Sequence, residues 1–429
     1  MEAASRPAQS PPGAAVIPSI VSLHAAEAAG LYELRFALAK APHVGLHAAL
    51  RMDRRLAAHL DGLSVAGESA WAPCEAALAE PSPGAVFVAA VRAIEERQRD
   101  RLDRIIALAA TDAERRAGLI AAFGWLERRD LQGIVADLLT SSEPLRRLVG
   151  VAACGAHRVD PGLATGPWLA DEHPLVRASA LRVAGEIGCG QARAACVAAV
   201  TDADSDCQFW AAWSSVLLGD RGLALNALVR AGLAAGPYRP QAFALALQAM
   251  GIEAAHAALQ QLSADAAQLR WLIRGSGIAG DPMYLPWLVG HMAKDETARL
   301  SGEAFTLITG AGFDTLQLAR ARPEALESGP SENPEDGDVE MDPDEALPWP
   351  DLERVRGWWD GNTTRFSAGT RFFMGAPVTP AHCLDVLRNG CQRQRILAAQ
   401  YRCLLAPGVP LFDTSAPAWR QHELLAQMD

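Results

Sequence analysis

Chemistry in this chain would have to come from few and scattered side chains. His43 and His47 stand four apart, a spacing that turns two imidazoles to one side of a helix and suits a metal ion. No acid lies between them, however, and Pro42 precedes them. His157, His173, His256, His291 and His382 have no second histidine three or four residues away. The eight cysteines, at 74, 154, 189, 196, 207, 383, 391 and 403, form no CxxC pair and read as small buried hydrophobes in a reducing compartment. There is no GxSxG elbow, no P-loop, and no GxGxxG followed by an acid in a strand context. The expectation is no catalytic residue, no metal and no cofactor.

Recognition chemistry is better represented. Trp210 and Trp213 stand three apart and suit either a packing irregularity or a binding spot. Trp271 follows, then DLERVRGWWDGNTTRFSAGTRFFMGAPVT, where Trp358, Trp359, Phe366, Phe372 and Phe373 alternate with Arg365 and Arg371. Rings beside guanidinium groups are the material of binding hot spots, because each buries a large area at small entropic cost. The same residues equally suit an apolar lid over the last helical pair, PAHCLDVLRNG and CQRQRILAAQYRCLL. Arg393 and Arg395 are placed to pair with the acids of residues 323–350. The candidate binding residues are therefore Trp210, Trp213, Trp271, Arg371, Phe372, Phe373, Arg393 and Arg395.

The elements that must hold these residues are helices in series. DEHPLVRASALRVAGEIG, at 171–188, opens with acids and Pro174, runs through small residues and stops at Gly188. Aligned on Arg177, it recurs with Arg116, Arg147, Gln208, Pro240, Gln268 and Arg299 in the same slot, roughly 28 to 32 residues apart. Each unit reads as an outer helix, such as 280–292, followed by an inner one, such as 296–310. An acid, Ser or Thr caps the start, and a glycine permits the left-handed turn that ends it. The fold class expected is all-α.

This pattern of acid, Pro-Leu-Val-Arg, small residues and closing glycines resembles a HEAT repeat of the short bacterial type also found in bilin lyases. The resemblance covers about residues 105–315 and implies a solenoid in which neighbouring helical pairs bury one another's apolar faces. It also implies that Arg116, Arg147, Arg177 and Arg299 sit between units, pairing with an acid or a helix end. The stretches MDRRLAAHLDGL, FFMGAPVT, CQRQR and APAWRQ are in addition similar to an uncharacterised bacterial family with HEAT-like repeats, often found near type VI secretion components. That likeness spans nearly the whole chain and implies a fold and a setting rather than a mechanism. An iron hydroxylase of this fold would show several His-Glu pairs, and this chain has only His422 with Glu423.

Composition bounds the partners. With a net charge of -11, the chain lacks the dense Lys/Arg that nucleic-acid phosphates require. Half the residues are hydrophobic and only 6 % aromatic, which favours helices packed through small side chains. The apolar run near the start is broken by Pro11, Pro12 and Pro18, so neither a signal peptide nor a membrane span is expected. The organisation expected is an N-terminal helical region (1–104), HEAT-like repeats (105–322), a flexible acidic insertion without Lys or Arg (323–350) and a C-terminal helical cap (351–429). The reading that follows is a noncatalytic cytoplasmic scaffold with a protein partner, no nucleic acid and no membrane. Two alternatives stay open: a lyase holding a conjugated ligand between Trp210, Trp213 and Trp271, and a subunit that self-associates through its Trp/Phe-rich C-terminal part.

Overall fold

The computed structural model describes residues 16–323, 342 and 344–428. These residues are mostly helical, with two short antiparallel ladders, and the chain divides into two compact units. The first unit takes Met1–Lys40, Val44–Ser214 and Pro410–Asp429, and the second takes Ala41–His43 and Ser215–Val409.

The first unit holds α1 (Pro18–Leu38), α2 (Leu46–Ala66), α3 (Trp71–Ala77), α4 (Pro83–Glu95), α5 (Arg99–Leu108), α6 (Ala113–Trp125), α7 (Ile134–Leu139), α8 (Pro144–Ala156), α9 (Pro174–Glu186), α10 (Arg193–Ala198) and α11 (Ser205–Leu217), whose last residues fall in the second unit. The second holds α12 (Leu223–Leu233), α13 (Arg239–Ala249), α14 (Ile252–Ser263), α15 (Leu269–Ala279), α16 (Leu285–His291), α17 (Asp295–Thr309), β1 (Ala319–Arg320) paired with β2 (Trp349–Pro350), α18 (Leu352–Asp360), β3 (Phe372–Phe373) paired with β4 (Ala376–Pro377), α19 (Pro380–Asn389) and α20 (Gln392–Leu405). A last helix, α21 (Ala418–Ala426), returns to the first unit.

Local sequence explains the helix ends. Pro occupies the first turn of α4, α8 and α9, where a missing N–H is harmless. Ser82 Oγ accepts the Ala85 N–H at 3.1 Å, and Asp112 Oδ1 accepts that of Arg115 at 2.8 Å. Gly188, expected to end its helix, has a φ of 70°, in the left-handed region.

The core of the first unit lies between α1, α2, α4 and α6, and α4 is buried from Gly84 through Ile94. A Cβ on Gly84 would stand 2.3 Å from the Ala29 carbonyl oxygen, so α1 and α4 approach backbone to backbone. At the edge of this core Asp53, 1 % exposed, accepts Arg35 Nε at 2.7 Å and the Ala418 N–H at 2.7 Å. The MDRRLAAHLDGL and APAWRQ stretches, from opposite ends of the chain, thus meet on one carboxylate. Residues 410–429, expected to close a C-terminal cap, belong instead with the N-terminal helices. A buried Asp53 requires those donors, and Trp419 adds an edge-on contact with Trp125, centroids 4.8 Å apart.

The recurring arginines close one helical pair against the next. Arg147 grips Asp171 with Nε at 2.8 Å and Nη2 at 2.9 Å, while Nη1 donates to the Ser142 carbonyl at 2.7 Å. Arg177 repeats this on Asp202, at 3.1 and 2.9 Å, with Nη1 on the Asp171 carbonyl at 2.8 Å. Gln208 keeps only the carbonyl half, reaching Asp202 O at 2.6 Å. In the second unit the register differs from the one expected. Proline cannot donate, so the slot assigned to Pro240 is served by Arg239, which reaches the Gly232 carbonyl at 3.2 Å. The one assigned to Gln268 is served by Arg270, on Asp344 at 2.7 Å.

The acidic segment is not solvated along its whole length. Asp342 pairs with Arg299 at 2.5 Å, Asp344 with Arg270, and Trp349 is buried beneath Arg299, whose guanidinium carbon stands 4.5 Å from the ring centroid. Residues 324–341 lie outside the described residues, and so does any pairing of Arg393 and Arg395 with them.

The Arg177 guanidinium, opposed by desolvation, holds the Asp202 carboxyl below its ordinary range. The bridge therefore stabilises the fold above about pH 4 and its contribution is lost as pH falls through the depressed value. Arg177→Met should lower stability by about 2 kcal/mol at neutral pH, from charge-assisted bonds left unmade. In thermal melts the variant's deficit should shrink towards pH 3, and a deficit independent of pH would speak against the ion pair as its source.

Candidate functional site

The structure sorts the candidate residues by what already occupies them. Trp213 is 5 % exposed and packs into the first unit. Trp210 is half-buried, edge-on to Trp213 with centroids 5.4 Å apart, and the Arg182 guanidinium carbon lies 4.8 Å from its ring centroid. Arg371, Phe372 and Phe373 serve the interior rather than a binding surface. Phe372 and Phe373 are buried, and Arg371 donates to the carbonyls of Gln248 and Met250, the end of α13. Gly280, at φ 75°, lets the Phe372 N–H reach its carbonyl at 2.8 Å, where a Cβ would stand 2.3 Å from Phe372 O. The FFMGAPVT stretch is thus a lid on the ends of α15 and α17. Arg395 is fully buried, donating to the Leu387 carbonyl and to Gln392, and desolvation pushes it down to about 10. Arg393 holds both carboxylate oxygens of Glu303, at 2.9 and 3.0 Å.

Trp271 stands apart from these. It lies on α15 between Arg239, 4.2 Å from its ring centroid, and Arg274, at 5.8 Å, with Phe243 edge-on behind it at 5.6 Å. The helices beneath are drawn together by glycines: a Cβ on Gly275 would meet the Phe243 ring at 2.6 Å, and one on Gly277 would meet Ala304 Cα at 2.7 Å. Gly275, Gly277 and Gly280 spell GxGxxG, but they lie in and just after a helix and serve its packing rather than a dinucleotide.

Five guanidinium groups, of Arg239, Arg270, Arg274, Arg299 and Arg393, gather on this face of the second unit with three carboxylates, of Glu303, Asp342 and Asp344. Each carboxylate has its own cation: Glu303 has Arg393, Asp342 has Arg299 and Asp344 has Arg270. Arg239 is taken up by Gly232 O and by Gln268 Oε1, the latter at 2.6 Å. Arg274 is left over. It makes no hydrogen bond and no ion pair with a described residue, and its side chain is only partly exposed. Desolvation pulls its proton affinity down, and the like charges of Arg393 and Arg270 add to this against the acids Glu303 and Asp344.

A half-open cleft of about 360 Å³ in the first unit is lined by Arg97, Arg99, Asp103, Asp137 and Arg146. Its charges pair across it: Arg99 with Asp137 at 3.1 Å and Arg146 with Asp103 at 2.7 Å, while Arg97 donates to the Gln132 carbonyl at 2.8 Å. Two histidine contacts escape any reading of local spacing. His24 and His59 meet at 3.2 Å between ring nitrogens, and His256 reaches the buried Asp281 at 3.1 Å. Asp281 also accepts the Met283 and Gly369 N–H groups, so it straps a loop down. His47, paired by spacing with His43, is held by Arg51 at 2.7 Å. Among the described residues, no group of three or more His, Cys, Asp and Glu is gathered as a metal ion would need. No described helix is long and apolar enough to cross a membrane.

The chain matches no known protein family, no curated protein and no solved structure. The arrangement of side chains carries the functional reading alone.

Because Arg371 serves the interior, Arg371→Met should lower stability by about 2–3 kcal/mol, through two carbonyls left without donors, and leave ligand binding unchanged. Thermal melts beside any binding measurement on the second unit check this; lost binding at unchanged stability would return Arg371 to the surface role.

Proposed function

We propose that this protein is a noncatalytic scaffold, a HEAT-like solenoid of helical pairs that binds another protein through the arginine and tryptophan side chains of α13, α15 and α17. The observation that carries this is Arg274, a partly buried cation beside Trp271 that makes no hydrogen bond and no ion pair with a described residue. Guanidinium groups stacked on large rings are pre-set for recognition, because the ring fixes the plane of the fork before a ligand arrives. The setting implied by the sequence resemblance makes a type VI secretion effector or spike component the partner to test first. Eight free thiols, six of them buried, support placing the protein in the cytoplasm. A lyase holding a conjugated ligand between Trp210, Trp213 and Trp271 has less support, since Trp213 is buried and Arg182 stands over Trp210.

Affinity capture from the native cell should retrieve one dominant protein with the natural chain and markedly less with Trp271→Leu, which keeps an apolar side chain against Phe243. Capture of no protein under gentle conditions, or equal capture by the variant, would contradict the reading.

A further inference from the structure

Helix α1 has two apolar faces and buries one of them. Val21, Ala25, Ala28, Leu31 and Tyr32 point into the core of the first unit. On the outer side Ile20, Leu23, Glu27, Gly30, Leu34 and Ala37 follow at spacings of three, four, three, four and three, the heptad rhythm by which one helix presents a seam to another. All six are exposed, and the aliphatic ones strongly so: Ile20 is 47 % exposed, Leu23 56 % and Leu34 46 %. Val16 and Ile17 extend the strip just ahead of the helix. A surface helix ordinarily turns polar residues away from its core, and one that is apolar on two sides is ordinarily covered on both. Gly30 adds a second, independent sign. A glycine inside a helix is unfavourable relative to alanine, because it loses more freedom on folding. At Gly84 the close approach to the Ala29 carbonyl requires it, but a Cβ on Gly30 would meet no described atom within 4 Å.

We propose that two copies of this protein associate through the outer face of α1, the helices antiparallel about a twofold axis that passes between Glu27 and Gly30. In that register Leu23 packs on Leu34 of the second copy and Ile20 on Ala37 of the second copy. Glu27 crosses Gly30 of the second copy, where the missing side chain leaves the carboxylate a path to water. A parallel pair would instead set Glu27 against Glu27 and leave the two Gly30 positions as a void, so the seam complements itself in one direction only. Along the roughly 26 Å from Ile20 to Ala37, at about 1.5 Å per residue, two such strips bury on the order of 1,000 Å², the area at which specific interfaces begin. Association on this scale is weak and depends on concentration. Dimerisation here is independent of the partner site on the second unit, and the two together make the scaffold bivalent.

The test is sedimentation of the purified full chain over a wide concentration range. The natural chain should move from the mass of one chain towards that of two as its concentration rises. Leu23→Glu, which sets a carboxylate in the middle of the seam, should weaken dimerisation roughly tenfold or more. Gly30→Glu, which brings a like charge beside Glu27 of the second copy, should weaken it as well. Gly30→Lys should be tolerated far better, since it offers that carboxylate an amine; in a parallel pair it would set amine against amine. Phe36→Ser, on the same helix but off the seam, should dimerise like the natural chain. Leu23 is exposed and a side chain at Gly30 meets no described atom, so all these variants should melt like the parent at concentrations where it is monomeric, which separates association from folding. A natural chain that stays monomeric throughout would overturn the proposal and leave the face to another occupant. A dimer that survives Leu23→Glu and Gly30→Glu, or one that Phe36→Ser weakens equally, would place the contact elsewhere and overturn it too. Equal weakening by Gly30→Lys and Gly30→Glu would contradict the antiparallel register.

Discussion

The guanidinium bridge that Arg147 and Arg177 each build to an acid of the following segment is the contact that ties the middle helices of the first unit together. Two junctions leave the same problem: the carbonyls that end the preceding segment need donors, and an acid on the following one needs a cation. One arginine answers both, as Arg147 does with Ser142 O and Asp171 and Arg177 with Asp171 O and Asp202. The planar fork suits this better than a lysine, whose point charge cannot meet two acceptors in fixed directions. Small residues then allow the close approach that brings the fork within reach. A Cβ on Gly155 would lie 2.6 Å from the Val183 side chain, and one on Gly185 would meet Ser214 at 2.5 Å.

The same device also explains how the second unit uses its acidic segment. Where Asp171 and Asp202 supply the acids locally, α15 and α17 take theirs from Asp344 and Asp342, at the far end of a long acidic stretch. The segment's return is thereby tied to α15 and α17, and Trp349 beneath Arg299 and Arg320 locks it in place. Against that background Arg274, an arginine without an ion pair to a described residue, is an exception with a thermodynamic meaning. A desolvated cation without a direct ion pair opposes stability, and such local conflicts persist where a ligand completes the set.

Legibility in the sequence followed the range of the interactions. The helices and the structural role of Arg147 and Arg177 were readable because proline starts, glycine stops and a thirty-residue recurrence are local or periodic signals. The slots at Pro240 and Gln268 were misplaced by one and two residues, since the period alone does not say which neighbour carries the donor. Arg239 and Arg270, with a side chain able to reach a helix end, were the better choice on chemistry. Arg371 and the two phenylalanines after it carried the composition of a binding surface, but composition does not reveal that the Gln248 and Met250 carbonyls stand above them. The contacts of His24 with His59, His256 with Asp281 and Ala418 with Asp53 join residues 25 to 365 apart, and no spacing rule reaches that far. Arg274 was invisible for a related reason: its significance is that it makes no ion pair with a described residue, a property of the folded neighbourhood. Trp271, one helical turn before it, was the signal that pointed to the place.

Thermal unfolding of a series in which Arg116, Arg147, Arg177, Arg239, Arg270, Arg274 and Arg299 are changed one at a time to glutamine tests the account most directly. Six of these should lower the unfolding midpoint, because each leaves a carbonyl or a carboxylate without its donor. Arg274→Gln should leave the midpoint unchanged or raise it, since it removes a desolvated charge that makes no ion pair with a described residue. If Arg274→Gln destabilises the protein as much as the other six, Arg274 is one more structural bridge and the distinction between it and the bridging arginines fails.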